Sequence, residues 1–285
     1  MNKFISNKFI SNKFIVNKRI IKDALWFLLY VLVAAFVLVP LLWMLKMALT
    51  PKGELSFIPK SITLDHFRNI FSRKEILMYF FNSLRISVSV IIITIPLALI
   101  AAFSLARFNF KGREPMALSL LILPMLPATA VLVPLVAYFN KLHLYNTMTG
   151  VVIVQVVFNL PLCTWMLRNF IVNVPRAVEE AAYLDGLGHI MTLFRITLPS
   201  VRPGLVAVMI YIFIGCWNGY TFSYALTTTP DKRVLAQAVL AFLGAWGNDW
   251  GGLNAVGILM VFPPILVFLI FQKSFVAGMF GQTLK

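Results

Sequence analysis

Residues 179–188 read EEAAYLDGLG. They put three acids, two alanines and two glycines into ten residues of a chain that is otherwise 60% hydrophobic and 12% charged. Just upstream, Pro175 stands where the first turn of a helix tolerates proline. Glu179 and Glu180 follow near the amino end, where carboxylates favour the helix dipole. Ala181 and Ala182 extend the helix with almost no side chain, and Gly186 sits where helices commonly end in a left-handed residue. A second helix is predicted from His189 until Leu198–Pro199 stops it. The stretch therefore reads as a short helix, a glycine turn and another helix. In its plainest form it is a hairpin joining two apolar segments. Its small-residue tip and charged start also suit docking into a groove on another protein, a mechanical task rather than a catalytic one.

The flanking sequence sets the context for that hairpin. Soluble domains carry roughly 25% charged residues, about twice the share found here. Mean hydropathy is +0.87. These values exclude a soluble all-α protein and define an all-α membrane protein with several spans. Crossing a bilayer core takes about 20 apolar residues. Six segments qualify, at roughly 24–46, 82–106, 116–138, 150–167, 204–226 and 254–272, the fourth being the shortest. A further apolar run at 234–246 is too short to span. It is expected to lie on the surface or re-enter, anchored by Trp246 and Trp250.

The net charge of +15 does not form a stripe for nucleic acid, because the basic residues sit mainly in short connections between apolar runs. With six spans both termini share a side. That side holds fifteen Lys and Arg residues against nine on the other, with Arg85 inside the second span. The bias places both termini, and the loop 168–203, in the cytoplasm. Residues 2–20 repeat NKFIS with a period of five. They read as a basic tail, residues 1–23, lying against anionic headgroups. No small-residue cleavage site follows the first apolar run, so the tail reads as uncleaved. Cys163 and Cys216 both fall in apolar segments, and His66, His143 and His189 share no ligand spacing with them, so no metal site is expected.

Prolines recur within the spans, at 96, 124, 127, 134, 161, 263 and 264. Each kinks its helix, either as ordinary packing or beside a wet passage. The candidates for lining such a passage are Asn82, Arg85, Gln155, Asn159, Trp217 and Asn218. A tryptophan beside an asparagine would suit a sugar face and its hydroxyls. Hydrogen bonding between helices is the preferred reading of the same residues.

The hairpin resembles the loop of ABC importer permeases: E-A-A, three residues, G, nine residues, I-x-L-P. Glu180, Ala181, Ala182, Gly186, Ile196, Leu198 and Pro199 all fall in register. Further stretches are similar to the carbohydrate branch, as in the smaller permease subunit of maltose importers. They are NSL (82–84), AAFSLARFNFKGR (101–113), YNTMTG (145–150), LPLCTWMLRNFIVNVPRAVEEAAYLDG (160–186), CWNGY (216–220) and the tail GMFGQTLK. The likeness covers the chain after about residue 24. Departures from the pattern are Leu187 after Asp-Gly, Gly219 after Trp-Asn, and Gln282-Thr283-Leu284-Lys285 at the tail. The first bears on the shape of the docking tip and the last on any tail contact with an ATPase.

The resemblance implies a type I importer transmembrane domain over 24–285, in the bacterial cytoplasmic membrane. It implies docking on an ATPase through Glu179, Glu180, Ala181, Ala182, Asp185, Gly186, Ile196, Leu198 and Pro199. It further implies two ATP-binding subunits holding ATP and Mg2+, a second and different permease subunit, an extracytoplasmic binding protein, and a sugar or oligosaccharide as cargo. The outer loop 53–67 is the candidate contact for the binding protein. From the residues themselves, no G-x-x-x-x-G-K-[ST] motif is present, so this chain holds no ATP phosphates, and its spans lack the carboxylates of proton-coupled carriers. The chain is therefore expected to bind no cofactor and to be no enzyme. Alternative cargoes are a polyamine or glycerol phosphate. A stand-alone channel or a membrane enzyme is the remaining alternative, and no catalytic cluster supports the latter.

Overall fold

The structure, a computed structural model, describes residues 2–54, 59–243 and 249–280, with side-chain surroundings from residue 22 to residue 275. Among these residues the secondary structure is helical, without a strand. Helix α1 (Asn2–Ala48) includes the basic repeat, whose side chains lie outside the described set, as do Trp246 and residues 282–285. Its apolar part, Lys22–Ala48, has no residue of its most hydrophobic window buried. A helix apolar on every side belongs in lipid or against another subunit. Near its end Met44 meets Gly257, where an added Cβ would come 3.0 Å from the sulfur.

After a loop and the short helix α2 (Asp65–Ser72), α3 (Lys74–Arg107) runs for 34 residues. That is about 51 Å, so α3 outreaches the roughly 30 Å hydrocarbon core and carries its ends clear of it. Its broadest helix contact is with α6 (Met148–Val172), which starts where the Thr147 hydroxyl accepts the Gly150 N–H at 3.0 Å. Side chains of α3, α6 and α10 (Arg202–Trp217) interlock around Ile86, Val90, Leu99, Val151, Leu167 and Ile212. A second cluster, around Ile70, Tyr79, Phe213, Trp217, Leu235 and Val256, joins α2, α3 and α10 to α12 (Trp250–Phe280).

Four helices are long and apolar enough to cross a membrane, and the number reaches six if each of two bent pairs is one span. The expected segment 116–138 is such a pair. Helix α4 (Arg113–Ser119) continues through a 3-10 turn to Met125, and α5 (Ala128–Lys141) leaves it at 90°. Pro127 explains the corner, because it pushes Leu126 into an extended conformation, ψ 130° at the cap. The other bent pair joins His189–Ser200 to Arg202–Trp217 at 84°. The expected segment 204–226 is itself not one helix. Helix α10 ends at Trp217 and α11 (Tyr220–Leu226) begins after Asn218 and Gly219. A Cβ on Gly219 would stand 2.5 Å from Gln155 Nε2 and 3.0 Å from Cys216 O, so a larger residue would require the Gln155 side chain to move.

Of the two readings of the run at 234–246, on the surface or re-entering, the structure corrects the first. Over Leu235–Phe242 the run forms a 3-10 helix with Leu235, Ala238 and Phe242 buried. Polar ties from α3 hold it in. Asn82 Nδ2 donates to the carbonyls of Asp231 and Arg233, both at 2.9 Å, and Ser83 Oγ accepts the Leu235 N–H at 2.9 Å. Asn82→Ala leaves two carbonyls without that donor, and we expect a loss of about 1–3 kcal/mol in unfolding free energy. Denaturation of the purified chain in detergent measures it, and a change inside about 0.5 kcal/mol, the scale of an inert surface change, would refute the tie.

Candidate functional site

The hairpin begins at Pro175 and forms α7 (Arg176–Leu184). It closes in a Schellman turn: Gly186 N–H donates to Tyr183 O and Leu187 N–H to Ala182 O, each at 3.0 Å. Gly186 takes φ +86°, a left-handed value that glycine adopts without strain. The return limb is less regular than the single helix expected. Helix α8 (His189–Thr192) passes into a π-helical segment, Leu193–Thr197, and then α9 (Leu198–Ser200). Within it Leu198 N–H reaches back five residues to Leu193 O. Pro199 has no N–H to offer the preceding turn, which favours this widened geometry. The wider turn aims Thr197 inward, where it is fully buried.

Thr197 meets the central feature of the site. Glu179 is 2% exposed and accepts the Thr197 hydroxyl at 2.7 Å. It also takes two hydrogen bonds from Arg107, from Nε at 2.5 Å and from Nη2 at 3.0 Å. Arg107 is the last residue of α3, and its Nη2 donates further to the carbonyls of Ile171 (2.8 Å) and Val174 (3.0 Å) at the end of α6. The Ile171 carbonyl also accepts the Val174 N–H at 3.0 Å, and a cation at this helix end favours the helix dipole. One guanidinium therefore binds the ends of α3 and α6 to α7 and, through Glu179, to the π segment. Nearby, Arg168 of α6 pairs with Glu114 of α4 at 2.9 Å. Tyr183 and Phe108 both pack edge-on to His189, with ring centroids 4.9 and 5.1 Å apart. Burial pushes the Tyr183 phenol pKa up, the Glu179 carboxylate adds to the rise, and Arg107 opposes it.

The nine residues expected to dock on an ATPase divide by direction. Glu179 and Ala182 are buried, Ile196 is half-buried, and Leu198 is half-buried against the core. Glu180, Ala181, Asp185, Gly186 and Pro199 are exposed. Beside the exposed set stand further exposed apolar side chains: Leu184 (90% exposed), Ile190 (75%), Val178, Met191 and Phe194. Sequence reading treated Glu179 and Glu180 alike. About 100° of helix turn separates neighbours, so one acid faces in and the other out. Arg107 was missed as a functional residue, although a lone arginine closing a long apolar run is itself a signal that a buried acid awaits it. Leu184 was missed because nothing in its sequence setting distinguishes an outward leucine from a core one.

The residues expected along a passage divide too. Trp217 is 1% exposed, donates through Nε1 to Met260 O at 2.8 Å and stacks on Phe213, so it serves packing. Asn82 holds the buried segment around 231–242 described above. Gln155 and Asn159 are buried within α6, where Asn159 Nδ2 donates to Gln155 O at 2.8 Å. Only Arg85 and Asn218 of the six are exposed. Cys163 and Cys216 are free and buried, and among the described residues no three His, Cys, Asp or Glu side chains group as metal ligands.

These features define a multi-span membrane protein with a loop braced from behind by a buried ion pair and presenting exposed apolar and acidic side chains in front, as a subunit driven by an attached partner requires. The chain belongs to the binding-protein-dependent transport system inner membrane component family, whose model matches residues 94–281. It is 35% identical over 89% of its length to the diacetylchitobiose uptake system permease protein NgcG of Streptomyces coelicolor, covering 86% of that protein. It is 29% identical over 91% of its length to the trehalose transport system permease protein SugB of Mycobacterium tuberculosis, covering 97% of that protein. Its fold is similar to a chain of a bacterial ABC transporter involved in import of the acidic polysaccharide alginate. The TM-score there is 0.72, with 18% identity, 87% of this chain and 94% of that one being covered.

Proposed function

We propose that this chain is one of two permease subunits of an ATP-driven, binding-protein-dependent importer of sugars or oligosaccharides. In this reading residues 1–23 are a cytoplasmic tail and residues 24–285 the transmembrane domain, with six spans and both termini in the cytoplasm. Four long helices, the bent pair over 113–141, the apolar helix α10 and the excess of basic residues on one side support that topology. The sugar-importer relatives support the cargo. The observation that carries the coupling role is the two-sided loop. Its inner face is locked to α3 and α6 by Arg107 and Glu179, and its outer face presents Leu184, Glu180 and Ala181. Two ATP-binding subunits grip that outer face and hold the ATP and Mg2+. Their closure moves the loop, and the lock transmits the movement to the helices that line the passage. This chain performs no catalysis. A second, different permease subunit completes the passage, and an extracytoplasmic binding protein delivers the sugar.

Gly186→Pro cannot adopt φ +86° and removes the N–H donated to Tyr183, at a local cost of about 3 kcal/mol or more. Glu180→Lys leaves the backbone intact and reverses a charge on the outer face. Both variants are expected to enter the membrane while ATP hydrolysis by the complex ceases to track uptake. Simultaneous assays of phosphate release and radiolabelled sugar uptake in proteoliposomes test this. Uptake at the unmodified rate in both variants would sink the docking role.

A further inference from the structure

The exposed faces of this protein differ in chemistry. Over residues 262–271 of α12 the exposed side chains, among them Phe262, Ile265, Leu266, Leu269 and Ile270, are all hydrocarbon, with Gln272 and Lys273 following. On α10 and α11 they are Tyr211, Ile214, Gly215, Asn218, Tyr220 and Tyr224. Residues 211, 214, 215 and 218 fall at helical spacing on one side of α10, so they form a continuous stripe. Tyr220 and Tyr224 extend it, with rings stacked 5.1 Å apart and 17° from parallel.

The stripe runs past the break at Asn218–Gly219. Helix α10 has covered about 24 Å by that point, within a hydrocarbon core of roughly 30 Å. Broken backbone at such depth survives only inside protein or beside water. Here the backbone of the break is satisfied from within, Asn218 N–H donating to Ile214 O, Gly219 N–H to Cys216 O, Tyr220 N–H to Asn218 O and Ser223 Oγ to Gly219 O, while the Asn218 side-chain amide stays exposed. A wet face is the surroundings that satisfy it. Tyrosines of an interfacial belt gather in one plane. From Tyr211 to Tyr224 these span about 20 Å along the helices, which is depth rather than a plane.

Resting on the sugar-importer reading, we infer that Asn218, Tyr220 and Tyr224 form a saccharide-contact site on the wall of the passage, with Tyr211 continuing the wall beyond it. The apolar C–H face of a sugar ring packs on the stacked tyrosines, and the Asn218 amide pairs with ring hydroxyls. A few placed polar groups among aromatic side chains is the usual make-up of a site for such a ligand. The site replaces the Trp217–Asn218 pair expected from sequence, because Trp217 is turned into the core.

The test uses the whole transporter, this chain with its copurifying subunits, in membrane vesicles. Asn218→Cys and Tyr224→Cys are treated with a membrane-impermeant methanethiosulfonate, with Leu266→Cys on α12 as the lipid-facing reference. Native Cys163 and Cys216 are buried and contribute little background. Radiolabelled diacetylchitobiose, trehalose and arabinose oligomers serve as probes, and the one taken up is used for protection. The site variants are expected to react while Leu266→Cys does not, and the transported sugar should slow their labelling about tenfold, with Tyr224→Ala lowering uptake about three- to tenfold, the scale of an aromatic stack. Labelling no faster than at Leu266→Cys overturns the site, since the stripe is then covered by lipid or by the second permease. Labelling without protection overturns the sugar contact alone. Uptake of none of the three sugars by the unmodified complex overturns the contact together with the sugar reading.

Discussion

Arg107→Ala is expected to lower the stability of the chain by about 3–5 kcal/mol, because it leaves the Glu179 carboxylate buried without its counter-charge. Both side chains are nearly closed to solvent, 8% and 3% exposed, so water does not take over the lost role. The ends of α3 and α6 lose their shared donor at the same time, since Arg107 Nη2 also serves Ile171 O and Val174 O. Thermal unfolding of the purified complex reads the stability, and proteolysis of the 176–200 loop reads its release. Glu179→Gln separates charge from shape, as it keeps an acceptor for the Thr197 hydroxyl. A double replacement, Arg107→Met with Glu179→Met, is expected to recover part of the loss, because an apolar pair carries no unpaired charge. If the single and double variants all melt with the unmodified protein, the lock contributes nothing and the transmission argument fails with it.

Leu184→Asp is expected to do the reverse: little to the chain itself and much to its assembly. Leu184 is 90% exposed, so it has almost no internal packing to lose, and stability should stay within about 0.5 kcal/mol. A large apolar side chain held out at the end of α7 has the character of an interface anchor. Truncating or charging such anchors costs about 2 kcal/mol or more, roughly a thirtyfold loss of affinity. Copurification of the ATP-binding subunits with the tagged variant, quantified against the unmodified chain, measures the effect. Full retention of those subunits would move the contact away from the tip of α7. Taken with Arg107→Ala, the experiment separates the two faces of one nine-residue helix, one answering in stability and the other in binding.

The long helices were legible because crossing a membrane demands apolar length, which composition displays directly. The first, second, fourth and sixth expected segments lie within α1, α3, α6 and α12. The ends of the hairpin's first limb were legible for a different reason. Proline at 175 and glycine at 186 each answer a local backbone requirement, and both stand at the expected ends of α7. The interruptions were harder to read. Pro124 and Pro127 were visible as breakers and Gly219 only as a departure from the family pattern, yet a 90° corner at one place and a short gap at another depend on the neighbouring packing. The 234–246 run illustrates the limit most directly. Its hydrophobicity suggested membrane contact, but Asn82 and Ser83 hold its backbone and α3 and α12 cover its side chains.

What this sequence determined alone was a polytopic helical chain, the family signature in its loop, and the punctuation of the first limb of the hairpin. These follow from the free energy of moving side chains out of water and from rules that act within one or two helical turns. Only the tertiary structure decided which of two adjacent glutamates is a buried strut and which faces outward, and which aromatics line a surface rather than a core. The partner that settles Glu179 is 72 residues away along the chain, and the one that turns Trp217 inward is 43 away. Burial and ion pairing depend on distance in space, and it is the packing of α3, α6, α10 and α12 that converts those separations into contacts.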